Sequence, residues 1–137
     1  MLRAWRQMSL PLLAIACLLA GGCVNNKGDS PGDVKASTAA VAITYQLAGQ
    51  HFSQVYARFS PALQKALPPM QMAKLWQGFE SKYGSFDSAS AVENRQHGAT
   101  ATDVVVACHF LRGTQFLDWT LANANLQVTG LHLAGGS

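Results

Sequence analysis

Charge is scarce in this sequence. Only 12% of the 137 residues are Asp, Glu, Lys or Arg, about half of the roughly 25% usual in soluble domains, which excludes a disordered polyelectrolyte and a dedicated nucleic-acid binder. The formal net charge is +3, and Arg3 and Arg6 lie in a segment expected to be removed, leaving eight bases against seven acids. No charge-driven partner follows. Cysteine is equally sparse, at three. Cys17 and Cys23 lie near the N-terminus, so Cys108 stands alone in the globular part and no disulfide framework is expected. His51, His97, His109 and His132 show neither the i, i+4 spacing of a helical metal site nor accompanying thiol pairs. Arg58, Lys65, Lys74 and Lys82 are spaced as solvent faces of helices. Gly21-Gly22 and Gly135-Gly136 belong to no strand-turn-helix phosphate loop, and there is no Gly-x-Ser-x-Gly elbow. No cofactor and no metal are expected.

What is present begins with an address. Met1 to Met8 carries two arginines and no acid, and Ser9 to Gly22 is almost wholly apolar and small. A run of about 14 residues is short of the ~20 that span a bilayer and suits the core of a secretory signal. Leu18-Leu19-Ala20-Gly21-Gly22-Cys23 resembles the bacterial lipobox, with Ala20 where leucine is usual. The resemblance implies cleavage before Cys23 and acylation of its thiol, with several acyl chains holding where one would be marginal. By the same resemblance, Val24 after the cysteine points to the outer membrane. The expected organisation is a lipoprotein signal over 1–22, a lipidated Cys23 with a polar Gly/Pro-containing tether to residue 37, a domain over 38–133 and a frayed end over 134–137. The protein is then held by lipid in the inner leaflet of the outer membrane, facing the periplasm.

The domain reads as helices first and strands after. From Thr38, Val41, Tyr45, Ala48 and Phe52 recur at helical steps, with Gly49 breaking the run, and Phe52, Val55, Tyr56 and Phe59 continue one face. Ser60-Pro61 starts a short helix to Leu67, since serine caps free N–H groups and proline suits the first turn. Pro69 to Tyr83 is a third helix, striped by Met72, Leu75, Trp76, Phe79 and Tyr83 and ended by Gly84. The period then becomes alternating. Strands are expected over Phe86 to Gln96, Thr100 to Leu111, Thr114 to Ala122 and Leu126 to Leu133, with turns at Gly98, Arg112-Gly113 and Asn123-Ala124-Asn125. The fold class is α+β, with the N-terminal helices packed on a curved antiparallel four-stranded sheet.

A family resemblance rests on Phe59-Ser60-Pro61 with Leu63, Leu75-Trp76, Tyr83-Gly84-Ser85-Phe86, Val106-Ala107-Cys108-His109-Phe110 leading to Gly113, and Val128-Thr129-Gly130-Leu131. In this order they resemble the bacterial domain of unknown function 3887, over about Val41 to Leu133. That family belongs to the nuclear transport factor 2-like superfamily. The resemblance implies a cone in which helices cover the concave face of the sheet, with a cavity that is open or filled, and it confers no activity.

Catalytic members of the wider superfamily place Asp, His or Tyr inside the cone, so the facing of each candidate matters. With Val106, Cys108 and Phe110 toward the helices, Cys108 is a buried apolar residue and His109 faces away. Leu117, Trp119 and Leu121 turn Asp118 outward, beside Gln115 or a partner on a neighbouring strand. The facing of His132 is open, because Leu131 and Leu133 compete with Val128 and Gly130 for the inner face. If Val128 is inside, His132 enters the cone, with Tyr45 and Tyr83 as hydroxyl partners. Two main expectations follow. One is a non-catalytic anchored module that binds a protein or a small apolar ligand. The other is a cone-pocket enzyme doing acid–base chemistry on a small organic molecule with His132 and a tyrosine. An inhibitor or immunity-type role against a secreted factor is a third. Phe116, expected to be exposed on the sheet, is a candidate contact for a homodimer.

Overall fold

The computed structural model describes residues 31–134. The expected signal, Cys23 and the first half of the tether lie outside these residues, as do 135–137. Four helices, α1 (Pro31–Ala48), α2 (Phe52–Ala57), α3 (Pro61–Ala66) and α4 (Pro69–Tyr83), precede four strands, β1 (Phe86–His97), β2 (Ala101–Phe110), β3 (Gly113–Ala122) and β4 (Val128–Ala134). The strands form one antiparallel meander in chain order. The fold is α+β, with the helices packed against a curved, open sheet. No helix among the described residues is long and apolar enough to cross a membrane.

Helix α1 begins seven residues before the expected start at Thr38, inside the stretch read as tether. Pro31 occupies the first turn, where its missing N–H costs nothing, and Asp33 complements the helix dipole there. Polar composition hid this start, yet Ala36 is 1% exposed, and Ser37 donates a 2.9 Å hydrogen bond to Asn94 Oδ1 on β1. The buried stripe also differs from the expected one. Ala36, Ala39, Ala40, Ile43, Thr44 and Leu47 face the sheet, whereas Tyr45 is 45% exposed. Alanines let the helix axis approach the sheet closely, a packing reason that ranking residues by size overlooks. The break after Ala48 falls as expected, with Gln50 adopting the positive φ of 64°.

The other helix ends follow local chemistry. Ser60 Oγ accepts from the Leu63 N–H at 3.3 Å, capping α3. In α4, Met72, Trp76, Phe79 and Tyr83 are buried. Gly84 ends it at φ 89°, where a Cβ would lie 3.0 Å from that of Leu111, so the position requires glycine for conformation and for space.

Register fixes which side chains meet. Phe110 pairs with Gly113 around a two-residue turn, Leu111-Arg112, one residue earlier than the expected Arg112-Gly113. Shifts in the β1–β2 register leave Asp87 and Val92 as extra residues, and another leaves Thr129 extra in β4. Bulges sharpen twist and bend a strand, and these supply the curvature over which the helices lie. The concave face is filled. Phe110 packs against Trp76, Phe79, Tyr83 and Phe86 with ring centroids 5.4 to 6.3 Å apart. Trp119 is fully buried, and its Nε1–H donates at 3.0 Å to Thr44 Oγ1, whose own hydroxyl donates to the Ala40 carbonyl at 2.8 Å.

Trp76 is 1% exposed, and its Nε1–H has no partner. Trp76→Ala is expected to cost about 3–5 kcal/mol in a urea melt, the range for emptying a large aromatic site. Trp76→Phe, which removes the unpaired donor and keeps a ring, is expected to cost less than half as much.

Candidate functional site

The helix-covered face holds no assembled reagents among the described residues. Tyr45 accepts from the Ala89 N–H at 3.1 Å and donates back to the Ala89 carbonyl at 3.5 Å, so its hydroxyl pins α1 to the bulged part of β1. Tyr83 is 4% exposed, with an unpartnered hydroxyl and its ring against Phe110. Cys108 is buried, and desolvation pushes its thiol up to about 12, which keeps it protonated and unreactive at neutral pH.

His132 does not face the helices, which corrects the expectation that an inward Val128 would carry it into a pocket beneath them. It is exposed, and it pairs across the ladder with Asp118. The reason is Thr129. Val128 faces inward opposite Leu121, the extra residue restarts the alternation, and Leu131 then sits opposite Trp119. The rival inner sets therefore contribute in turn, and His132 follows Gly130 outward. His132, Tyr45 and Tyr83 do not share a site.

The ionisable groups gather instead on the face turned away from the helices. Asp103, on β2, is its best-held member. Its carboxylate accepts from Thr120 Oγ1 at 2.6 Å and from His97 Nδ1 at 2.9 Å. Arg95 reaches across β2 to Asp118 Oδ2 at 2.7 Å, touches Glu93 at 3.2 Å and lies 3.8 Å from Asp103. Arg95 and Asp118 stand on β1 and β3, two strand spacings or about 9.6 Å apart, a span that a guanidinium covers. Asp118 is thus outward and paired, with Arg95 as its partner; Gln115 bonds the carbonyls of Phe116 and Ala134. His109, also on this face, lies 3.3 Å from Thr114 Oγ1. Phe116 is half-buried there rather than exposed, opposite Ala107 and Ala134.

Burial tends to raise the Asp103 carboxyl, but the hydrogen bonds from Thr120 and His97, with the charges of His97 and Arg95, outweigh it and hold the group below its ordinary 3.8. The guanidinium of Arg95 is raised further above its already high ordinary value, chiefly by the Asp118 charge. Residue-by-residue screening for an inward acid or base missed this network. Its signal was the turn begun by Gly98 and centred on Ala99, about which Arg95 and Asp103, like His97 and Ala101, stand in mirrored positions. No group of three His, Cys, Asp or Glu among the described residues is arranged to hold a metal ion. The network ties β1, β2 and β3 into one polar surface that presents fixed charge.

Depressions on the surface of the described residues lie away from these groups. One of about 370 Å³ is lined by Ser85, Phe86, Asp87, Phe110 and Leu111. Others of about 240 and 220 Å³ flank the Asn123–Gln127 turn. Tyr45, Tyr83 and His132 line none of them.

A carboxyl whose folded pKa is depressed contributes stability that is present above its unfolded value and lost as pH falls through the folded one. The urea midpoint of the protein should therefore fall as pH is lowered from 6 to 3. Asp103→Asn should cost about 1–3 kcal/mol at pH 7, the range for breaking a buried hydrogen-bonded group, and should flatten that pH dependence. An equally steep slope in the variant would assign the acid sensitivity to other carboxylates.

No curated protein and no solved structure matches this chain. A family model described as a protein of unknown function matches residues 40–131, from the buried face of α1 to the inward Leu131. The chain belongs to that family, DUF3887.

Proposed function

We propose that this protein is a lipid-anchored module of the bacterial envelope that performs no chemistry and engages a protein partner through the outer face of its sheet. The observation that carries this reading is the division of side chains between the two faces. The helix-covered face is packed with Trp76, Trp119, Phe59, Phe86 and Phe110, while Arg95, His97, Asp103, Asp118 and His132 lie on the other. Dense aromatic packing under the helices supports a protein over a small apolar ligand held inside the domain. Helices followed by a four-stranded bulged meander also support placement in the nuclear transport factor 2-like superfamily.

The anchor reading rests on the sequence from Leu18 to Cys23. It implies an inner-leaflet position at the outer membrane, with the domain on the periplasmic side. Cys23→Ala is expected to abolish incorporation of radiolabelled palmitate and to move the protein from the membrane to the soluble fraction. Retention of the variant on membranes would refute lipidation as the anchor.

The contact reading is tested by a photo-crosslinking amino acid placed singly in intact cells at His109 or His132 on the outer face, or at Met70, which is 70% exposed on α4. Discrete adducts are expected from the first two positions and none from Met70. The reverse pattern would transfer the contact to the helices.

A further inference from the structure

The start of α1 and the β3–β4 turn share one end of the domain. Asn94, near the end of β1, donates to the Asp33 carbonyl at 3.4 Å and accepts from Ser37, while Tyr45 meets Ala89 toward the other end of the same strand. Gly32 and Lys35 line one depression with Asn123, Ala124, Asn125 and Leu126. Arg58 borders the next, with Asn125 and Gln127. A turn with no charge of its own is thus flanked by two bases. Leu111, 74% exposed, lies at the opposite end with Ser85 and Asp87.

The early start of α1 limits where this end can go. On the reading of Cys23 as the lipidated residue, only Val24 to Ser30 separate the acyl chains from Pro31. Eight backbone steps reach about 29 Å when fully extended, and a chain free to relax averages about 16 Å. The 18 residues of α1 are themselves about 27 Å long. An inverted domain, with Leu111 on the lipid, would demand nearly the whole covalent reach of the link. The covalent link holds the start of α1 within about 29 Å of the anchored residue.

We infer that the Asn123–Gln127 end of the domain rests on the headgroup layer of the membrane, with Lys35 and Arg58 facing anionic lipid phosphates. The amide side chains of the turn suit a hydrated polar layer, and bases near an anionic leaflet are attracted to it. This orientation rests on the proposed anchor and extends it. It turns the depression at Phe86, Phe110 and Leu111 away from the membrane and leaves the outer sheet face open at the side.

The test uses the full-length acylated protein in vesicles of phosphatidylethanolamine and phosphatidylglycerol doped with a headgroup-nitroxide lipid. A thiol-reactive fluorophore is placed at Ala124→Cys or at Leu111→Cys; Cys108 is buried and does not compete. Quenching of the Ala124→Cys label is expected to exceed that of the Leu111→Cys label at least threefold. Equal quenching, or more at Leu111→Cys, overturns the orientation. In neutral phosphatidylcholine vesicles, and in K35E/R58E with phosphatidylglycerol present, the ratio is expected to fall below twofold while the protein stays vesicle-bound. A ratio unchanged in both removes the two bases from the contact. Protein that fails to enter vesicles, with Cys23 unmodified by mass spectrometry, refutes the anchor itself, a result distinct from a bound protein in the wrong orientation.

Discussion

A bent sheet must have its concave side filled, and that requirement organises this domain. Bulges at Asp87, Val92 and Thr129 curve the meander. Curvature opens a space that water would occupy at the expense of the apolar strands. The aromatic groups of α4 close it, meeting at Phe110. Burial of each such ring removes 150–250 Å² from water and is the dominant favourable term in a core of this size. Helix α1 completes the lid from the side with alanines, because a larger stripe would lift it off β1 and break the Thr44–Trp119 hydrogen bond.

Filling that space has a functional consequence. An acid–base pocket needs a base, an orienting group and room for a substrate within hydrogen-bond reach. Tyr45 spends its hydroxyl on the Ala89 backbone, Tyr83 lies sealed against Phe110, and one additional residue at position 129 carries His132 to the other face. The polar groups best placed to meet another molecule are therefore on the sheet surface, where the hydrogen bonds of Asp103 and the reach of Arg95 fix their positions. A contact surface with side chains already held in place loses less conformational entropy on binding.

Where the sequence was legible, the signal was local and repeated. The Ser60-Pro61 cap, the stripe from Met72 to Tyr83 and the β-branched run at Val104 to Val106 each depend on neighbours a few residues away, and all appear in the fold. Bulges were not legible, because one unpaired residue alters facing without altering composition. The competition between Val128 and Leu131 for the inner face was nevertheless their trace, since a strand in which both parities look apolar is what an extra residue produces. The start of α1 was missed for a different reason. Its first turns are polar and bury only Ala36, so their helicity comes from docking on β1 through Asn94 rather than from an apolar period. The ion network joins residues from three strands, and only the β1–β2 part of it was implicit in the spacing about Ala99.

Asp118 shows how such a network differs from a ligand site. Its Oδ2 is held by Arg95, while Oδ1 is buried without a hydrogen-bond partner. An unsatisfied acceptor of this kind costs about 1–3 kcal/mol, which invites the idea of an incoming cation. Burial argues against it, because an oxygen sealed from solvent is sealed from an approaching ammonium as well. The cross-strand neighbour of Asp118 is His132, which makes no hydrogen bond to that oxygen. The acidic surplus around Arg95 is thus first an internal matter of holding β1, β2 and β3 together and of setting the edge at β4. On the proposed function, the surface offered to a partner is the resulting relief, in which His109, His132 and Glu93 are the exposed polar groups.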